Sequence, residues 1–338
     1  MQRKLYGFLN HASPVILRPM RASVKPAIAL MAMVFGQQLG ARAADPFDAL
    51  AAQDRRLAMV AERLMEANDA LCTQHMPALG LVIESRDQYP ANPGDKFANG
   101  PVAVAQVLPG SPAAGIVEPG DSLVAIGAVP TASLRAQGKS PQRDAVFAAL
   151  ADSPPSAPLS LTLARGGSER TVTLHPIPAC RALVEVRSSN GDNARSDGKV
   201  IQVDYGLAAE TTDDQLAVIF AHELGHLVLE HRRRLSQAGV SKGFFGELGR
   251  NGRLNRQVED EADLISVHLL ANAGYDPAIA PAFWRSALGR RLSGLSLVYH
   301  TSSGRAERLE REIAEHLPGG AHPGSADYLL ARRTVPFS

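Results

Sequence analysis

The sequence predicts an α+β fold, with a β-rich block over residues 77–177 followed by a mainly helical region with a small sheet over residues 178–338. Three observations carry this reading. The alternating runs LSLTLAR (159–165) and RTVTLHP (170–176) flank the turn GGSE, a hairpin signal. Apolar residues recur at helical spacing over 46–71 and again over 211–234. Between the β-rich block and the second of these helices, ALVEV (182–186) and KVIQVDYG (199–206) are two short strands joined by the polar turn RSSNGDNARSDG.

The elements follow in order. Residues 1–43 read as an export signal: Arg3, Lys4, Arg18, Arg21 and Lys25 precede the first acidic residue, Asp45, and the apolar run PAIALMAMVFG (26–36) leads to the small-x-small site Ala41-Arg42-Ala43. The run is too short to span a bilayer, which needs about 20 residues, and the segment is either cleaved or kept as an amphipathic anchor. No later segment is long and apolar enough to span, so a periplasmic or secreted protein without a transmembrane segment in its mature chain is expected. Residues 44–76 form an N-terminal helical segment, with Leu50, Leu57, Val60, Leu64 and Leu71 on one face. Cys72 and Cys180 bracket the β-rich block and are expected to pair in an oxidising compartment. Within the block, SPQRDAVFAAL (140–150) is a helix with Ser140 as its cap and Pro141 in its first turn. The helix over 211–234 is capped by Thr212 and carries Asp213 and Asp214 in its first turn. Another helix runs through VEDEADLISVHLLANAG to Gly274, and two more follow, the last capped by Ser302 or Ser303. The chain of 338 residues is 45% hydrophobic and 20% charged with a net charge of +1, so no overall basic field argues for nucleic acid.

The chemistry concentrates in AHELGHLVLEH, residues 221–231. His222 and His226 are four apart and share one helix face, a two-pronged grip for zinc. Glu223, about 100° round the helix, is placed to act on a water at the metal and not to ligate. His231 reads as a solvated residue at a helix end beside Arg232, Arg233 and Arg234. A glycine three residues and a histidine six residues past His226 would mark a different zinc class; Leu229 and Arg232 stand there instead. The third ligand is therefore sought on the later acidic helix, where Glu259 and Asp263 share a face and Glu261 points away from it. One of the pair ligates while the other accepts a hydrogen bond from a ligand imidazole.

These motifs resemble metallopeptidase family 48, the HtpX-, BepA- and CAAX-prenyl-endopeptidase-like gluzincins, through His222-Glu223-x-x-His226, Glu259-x-x-x-Asp263, the upstream Asn193-Ala194 and Gly198, and GYDPAIAPAFW (274–284). The resemblance covers about residues 181–315. It implies a zincin-like domain, one zinc per chain held by His222, His226 and Glu259, Asp263 behind a ligand, Glu223 as general base, and endopeptidase activity on protein or peptide substrates. An extended substrate is expected to pair with the strand near residues 199–205. His300 corresponds to a relative's histidine that approaches the metal, either to stabilise the oxyanion or to latch the site; the alternative is a solvated loop residue. Within the β-rich block, VLPGSPAAGIVEPGDSLVAIGAVP (107–130) resembles the PDZ domains of bacterial proteases. That likeness implies a groove starting at Leu79, Gly80 and Leu81 that takes a C-terminal peptide, for substrate binding or regulation. The expectation is a zinc endopeptidase for unfolded or damaged exported proteins. The alternative is a chaperone-like or scaffolding protein whose peptidase site is seldom used, against which an intact Glu223 argues.

Overall fold

The computed structural model describes residues 46–89, 94–137, 140–240, 249–293 and 300–337. The export signal expected over residues 1–43 lies outside them.

Helix α1 (Pro46–Ala67) forms as its apolar spacing predicts. Leu57 and Leu64 are fully buried, with Val60, Ala61 and Met65 beside them on the same face. It stops at Asn68, whose buried amide donates to Leu64 O at 2.8 Å, satisfying a carbonyl of the helix end, and to Leu269 O at 3.0 Å, tying that end to a residue far along the chain. Cys72 follows and is bonded to Cys180, with the two Cα atoms 5.5 Å apart.

Strand β1 (His75–Ala78) pairs with β8 (Ile177–Cys180), antiparallel, next to that bond. Between them lies an antiparallel sheet in the order β2 (Leu81–Ser85), β3 (Val102–Val107), β4 (Ser122–Ile126), β6 (Leu159–Arg165), β7 (Ser168–Leu174), with the short β5 (Val129–Pro130) on β4. The GGSE hairpin closes β6 onto β7 as expected. Leu123, Leu161, Leu163 and Leu174 fill one core with Val102, Val104 and Val146. Helix α2 (Pro141–Ala151) lies against β1 and β2. Ser140 stands at its cap position, but its hydroxyl makes no capping bond. The carboxylate of Asp87 takes the Gln142 N–H at 2.7 Å instead, an anionic acceptor supplied from across the fold.

The second sheet departs from the simple strand–turn–strand reading. Strands β9 (Leu183–Arg187) and β11 (Val200–Asp204) are parallel, and part of the polar turn becomes a third strand, β10 (Ala194–Ser196), antiparallel to β11. The order is β10-β11-β9, so β11 has neighbours on both sides. A short helix α3 (Tyr205–Glu210) leads to α4 (Asp213–Val228), whose capping box joins Thr212 and Gln215. Helix α4 is shorter than predicted. Glu230 has φ 53°, and a new helix α5 (His231–Gln237) starts beyond it.

Helix α6 (Gly249–Asn272) packs along α4. Gly225 lets them approach closely: a side-chain carbon there would lie 2.6 Å from Ile265 Cγ2 and 3.1 Å from Ala262 O. Helices α7 (Ile279–Arg285), α8 (Ala287–Ser293), α9 (Ser302–His316) and α10 (Asp327–Leu330) complete the helical half around a second core that includes the buried face of α1. The cap of α9 is Thr301, which accepts the Gly304 N–H at 3.2 Å, and not Ser302 or Ser303. No described helix is long and apolar enough to cross a membrane.

Candidate metal centre

One turn of α4 separates His222 from His226, and their Nε2 atoms lie 3.2 Å apart. Close packing of α6 brings in the carboxylate of Glu259, with Oε2 3.2 Å from His222 Nε2 and Oε1 3.6 Å from His226 Nε2. Three ligand-type atoms thus converge on one small volume. Zinc–ligand bonds of about 2.0–2.2 Å in tetrahedral geometry imply ligand–ligand edges of roughly 3.3–3.6 Å, which these separations approach. Glu259 Oε2 is buried with no hydrogen-bond partner, a costly state for a carboxylate oxygen unless a cation faces it. Burial opposes the charge on Glu259, yet the two imidazoles hold its pKa well below the usual carboxylate range. For His222 burial also opposes charge, but the Asp263 and Glu259 carboxylates beside it raise its pKa to about 10 in the protein alone. The electrostatics therefore favour a positive charge at this point, and the donor set suits zinc.

Behind each histidine stands an ordered partner. His222 Nδ1 is 3.0 Å from Asp263 Oδ1, and Arg305, from α9, grips Asp263 through both carboxylate oxygens, with Nε to Oδ2 at 2.6 Å. The Arg305 guanidinium lies 3.3 Å from the Trp284 ring centroid. His226 Nδ1 is 2.9 Å from His231 Nδ1, and His231 Nε2 is 3.1 Å from Glu261 Oε2.

The last two contacts correct the reading of His231 as solvated. It is 2% exposed and Glu261 is 1% exposed. On an uninterrupted helix His231 would point about 140° away from His226. The left-handed turn at Glu230 folds the chain back and sets the two rings edge to face, their centroids 5.0 Å apart. Glu261 does point away from Glu259 and Asp263, but into a buried cluster with Arg234 (2.6 Å), Gln257 (2.9 Å) and Arg332 (3.1 Å). Burial pushes the His231 pKa down to about 4, so this ring is neutral at physiological pH. If His226 faces the metal through Nε2, its Nδ1 carries the hydrogen, His231 Nδ1 accepts it, and His231 Nε2–H donates to Glu261. One tautomer satisfies the whole row.

Glu223 is 8% exposed. Burial raises its pKa, opposed by the neighbouring histidines and by a hydrogen bond from the Ser196 backbone, so the carboxylate lies beside the end of β10. This strand, unlike β11, has a free side among the described residues. The expectation that a substrate pairs near residues 199–205 is corrected accordingly, because most of that stretch is the central strand. His300, at the start of α9, lies 3.3 Å from Asp260 Oδ2 and 2.8 Å from an Arg308 nitrogen, and is not among the three converging ligand residues. Leu79, Gly80 and Leu81 occupy the turn from β1 into β2, where the Gly80 N–H donates to Glu62 of α1 at 3.0 Å. No sequence signal had singled out Glu62 or Asp87; each acts through a partner distant in the chain.

The stretch from β8 to beyond α5 has a recognisable relative. Residues 177–248 match Peptidase family M48. The match contains His222, Glu223, His226 and His231 and ends before Glu259, so the placement of Glu259 rests on the packing of α6. Two curated proteins are similar over part of the chain. Mitochondrial metalloendopeptidase OMA1 of Arabidopsis thaliana is 28% identical over 134 residues, covering 33% of this chain and 27% of that protein. Mitochondrial metalloendopeptidase OMA1 of Schizosaccharomyces pombe is 26% identical over 140 residues, covering 36% of this chain and 42% of that protein. The chain thus spans less than half the length of these relatives.

Proposed function

We propose that this protein is an exported zinc-dependent endopeptidase with one zinc per chain, acting on unfolded or damaged proteins of the cell envelope. The observation that carries the reading is the convergence of His222, His226 and Glu259 around a carboxylate oxygen without a hydrogen-bond partner. The match to Peptidase family M48 and the metalloendopeptidase names of the two relatives agree with it.

His222, His226 and Glu259 would hold the ion, which supplies a Lewis acid for the scissile carbonyl and an acidified water. Asp263 and His231 fix the orientation of the two rings. Glu223, its pKa raised by burial, takes the proton of the attacking water and delivers it to the leaving amine. The free side of β10 offers backbone groups to an extended substrate. His300 is the candidate to steady the oxyanion from the start of α9. The β-rich block, residues 77–177, serves as a PDZ module whose groove begins at Leu79-Gly80-Leu81. An oxidising location is supported by the Cys72–Cys180 bond and by the basic, apolar character of residues 1–43.

The test is elemental analysis of the purified chain together with cleavage of an unfolded protein. One equivalent of zinc and cleavage abolished by a chelator and restored by zinc are expected; cleavage indifferent to chelation would end the proposal. The outer partners give a second prediction. His231→Leu is expected to weaken zinc by about 10–100-fold in competition with a chromophoric chelator, because the His226 ring loses the acceptor that fixes it. Unchanged affinity would show that His231 does not orient the ligand.

A further inference from the structure

The turn that opens the proposed peptide groove is already in contact with a carboxylate, and the carboxylate belongs to the protein. Gly80 has φ 73°, and a side-chain carbon there would lie 2.0 Å from Ser111. Its carbonyl accepts the Leu108 N–H at 2.8 Å, and the neighbouring Leu79 carbonyl accepts the Ala113 N–H at 3.1 Å. Backbone thus closes the carbonyl side of the turn, while the Gly80 N–H donates to Glu62 Oε1 at 3.0 Å. Strand β2 beyond the turn pairs only with β3 among the described residues, so its other side is the one a peptide strand would join. Helices α1 and α2 both pack against this strand.

We propose that Glu62 is a built-in occupant of the carboxylate subsite, that a peptide C-terminus enters only by displacing it, and that α1 carries the event to the metal helix. The proposal rests on the reading of residues 77–177 as a peptide-binding module.

Two features make displacement of the side chain reasonable. Glu62 is held at Gly80 by one hydrogen bond, and burial and the neighbouring Glu66 raise its pKa to about 7, so its charge is poorly accommodated where it lies. An incoming C-terminus offers the same chemistry, a carboxylate, together with a strand to pair with β2.

The path onward is made of named contacts on the same helix. Arg56 Nε reaches Asp213 Oδ1, in the first turn of α4, at 2.9 Å, and its other nitrogens hold Ala208 O (3.0 Å) and Thr211 O (2.9 Å) just before that helix. Arg63, next to Glu62, holds Ala273 O at 2.8 Å, just past the end of α6. Asp54 accepts the Val186 N–H of β9 at 2.9 Å. Helices α4 and α6 bear His222, His226 and Glu259, so α1 is tied both to the peptide turn and to the ends of the two helices that build the metal centre. Coupling of this kind is reciprocal: whatever peptide does to the centre, the occupied centre does to peptide affinity.

The experiment uses the full chain and a fluorescent ten-residue peptide with an apolar C-terminal residue, as free acid and as C-terminal amide. If Glu62 fills the turn nine-tenths of the time or more, its removal is worth about tenfold or more in affinity. Anisotropy titrations are therefore expected to show weak free-acid binding by the wild type. Binding at least about tenfold tighter is expected for Glu62→Gln and Glu62→Ser, with the amide bound poorly by all three. Saturating free acid is also expected to change the wild type's zinc affinity, read by chelator competition. Carboxylate-dependent binding that is equal in wild type and variants would overturn the occupancy while leaving the peptide-binding reading intact. Absence of binding in every form would remove that reading and the proposal with it. Unaltered zinc affinity would refute the coupling through α1. Should both variants fail to fold, the wild type still decides: its Gly80 amide resonance must shift with the free acid and not with the amide, and no shift refutes displacement.

Discussion

Glu223→Gln is expected to keep the fold and one equivalent of zinc while lowering turnover on an unfolded substrate by about 10²–10⁴-fold. The substitution preserves volume and a hydrogen-bond acceptor for the Ser196 backbone but removes the base. Glu223 is not one of the converging ligand residues, so zinc affinity has no reason to follow activity down. Glu259→Gln is the contrasting case. It exchanges an anionic ligand for a neutral one, and zinc content and activity should fall together. Elemental analysis beside kinetics separates the two. Loss of zinc from Glu223→Gln, or full activity without it, would sink the assignment of roles.

Arg305→Met is expected to destabilise the protein by about 3–5 kcal/mol, the cost of leaving a buried charge without its partner. Arg305 is 4% exposed and Asp263 7% exposed, and the two share a forked pair of hydrogen bonds. Burial alone would raise the Asp263 pKa; Arg305 and His222 overcome it and hold the carboxyl at about 2. Because that is below its ordinary value of about 3.9, the stabilisation is present above about pH 4 and is lost as the pH falls towards 2. Methionine keeps much of the packing over Trp284 while removing the charge. Urea titrations of Arg305→Met, Asp263→Asn and the double variant measure the pair directly. The double variant should recover part of the loss, and a single-variant effect below about 1 kcal/mol would show that Asp263 is held by other means.

How far the site could be read in advance depended on whether its contacts were local. His222 with His226, and Glu259 with Asp263, are i,i+4 pairs, and helix geometry fixes what such pairs share. The GGSE hairpin and the Thr212 cap are local too, and both formed as their residues indicate. His231 was misread because one residue, Glu230, leaves the helical region, and nothing in LVLEHRRR announces a left-handed turn at a glutamate. Strand β10 hid inside a polar stretch because its pairing with β11, not its composition, makes it a strand. Ser140 looked like a cap and Asp87 became one, since a carboxylate 55 residues away competes for the same N–H. Arg305 and Glu62 matter through contacts with residues 42 and 18 positions distant, which periodicity does not encode.

The Cys72–Cys180 bond has a topological consequence. Its sequence separation is 108, yet its Cα atoms are only 5.5 Å apart. A loop of that length loses about 4–5 kcal/mol of closure entropy in the unfolded chain, so the bond favours the folded form by that order. It also makes the β-rich block a covalent ring attached at one point. To the helical half, the polypeptide passes from α1 to β9 as through a short bridge, whatever the ring contains. A protease nick within the ring would leave both halves joined as one molecule under oxidising conditions, and reduction would release them into two fragments held only by packing. In covalent terms alone, the ring can be lengthened or shortened without changing how the two ends of the helical half are joined.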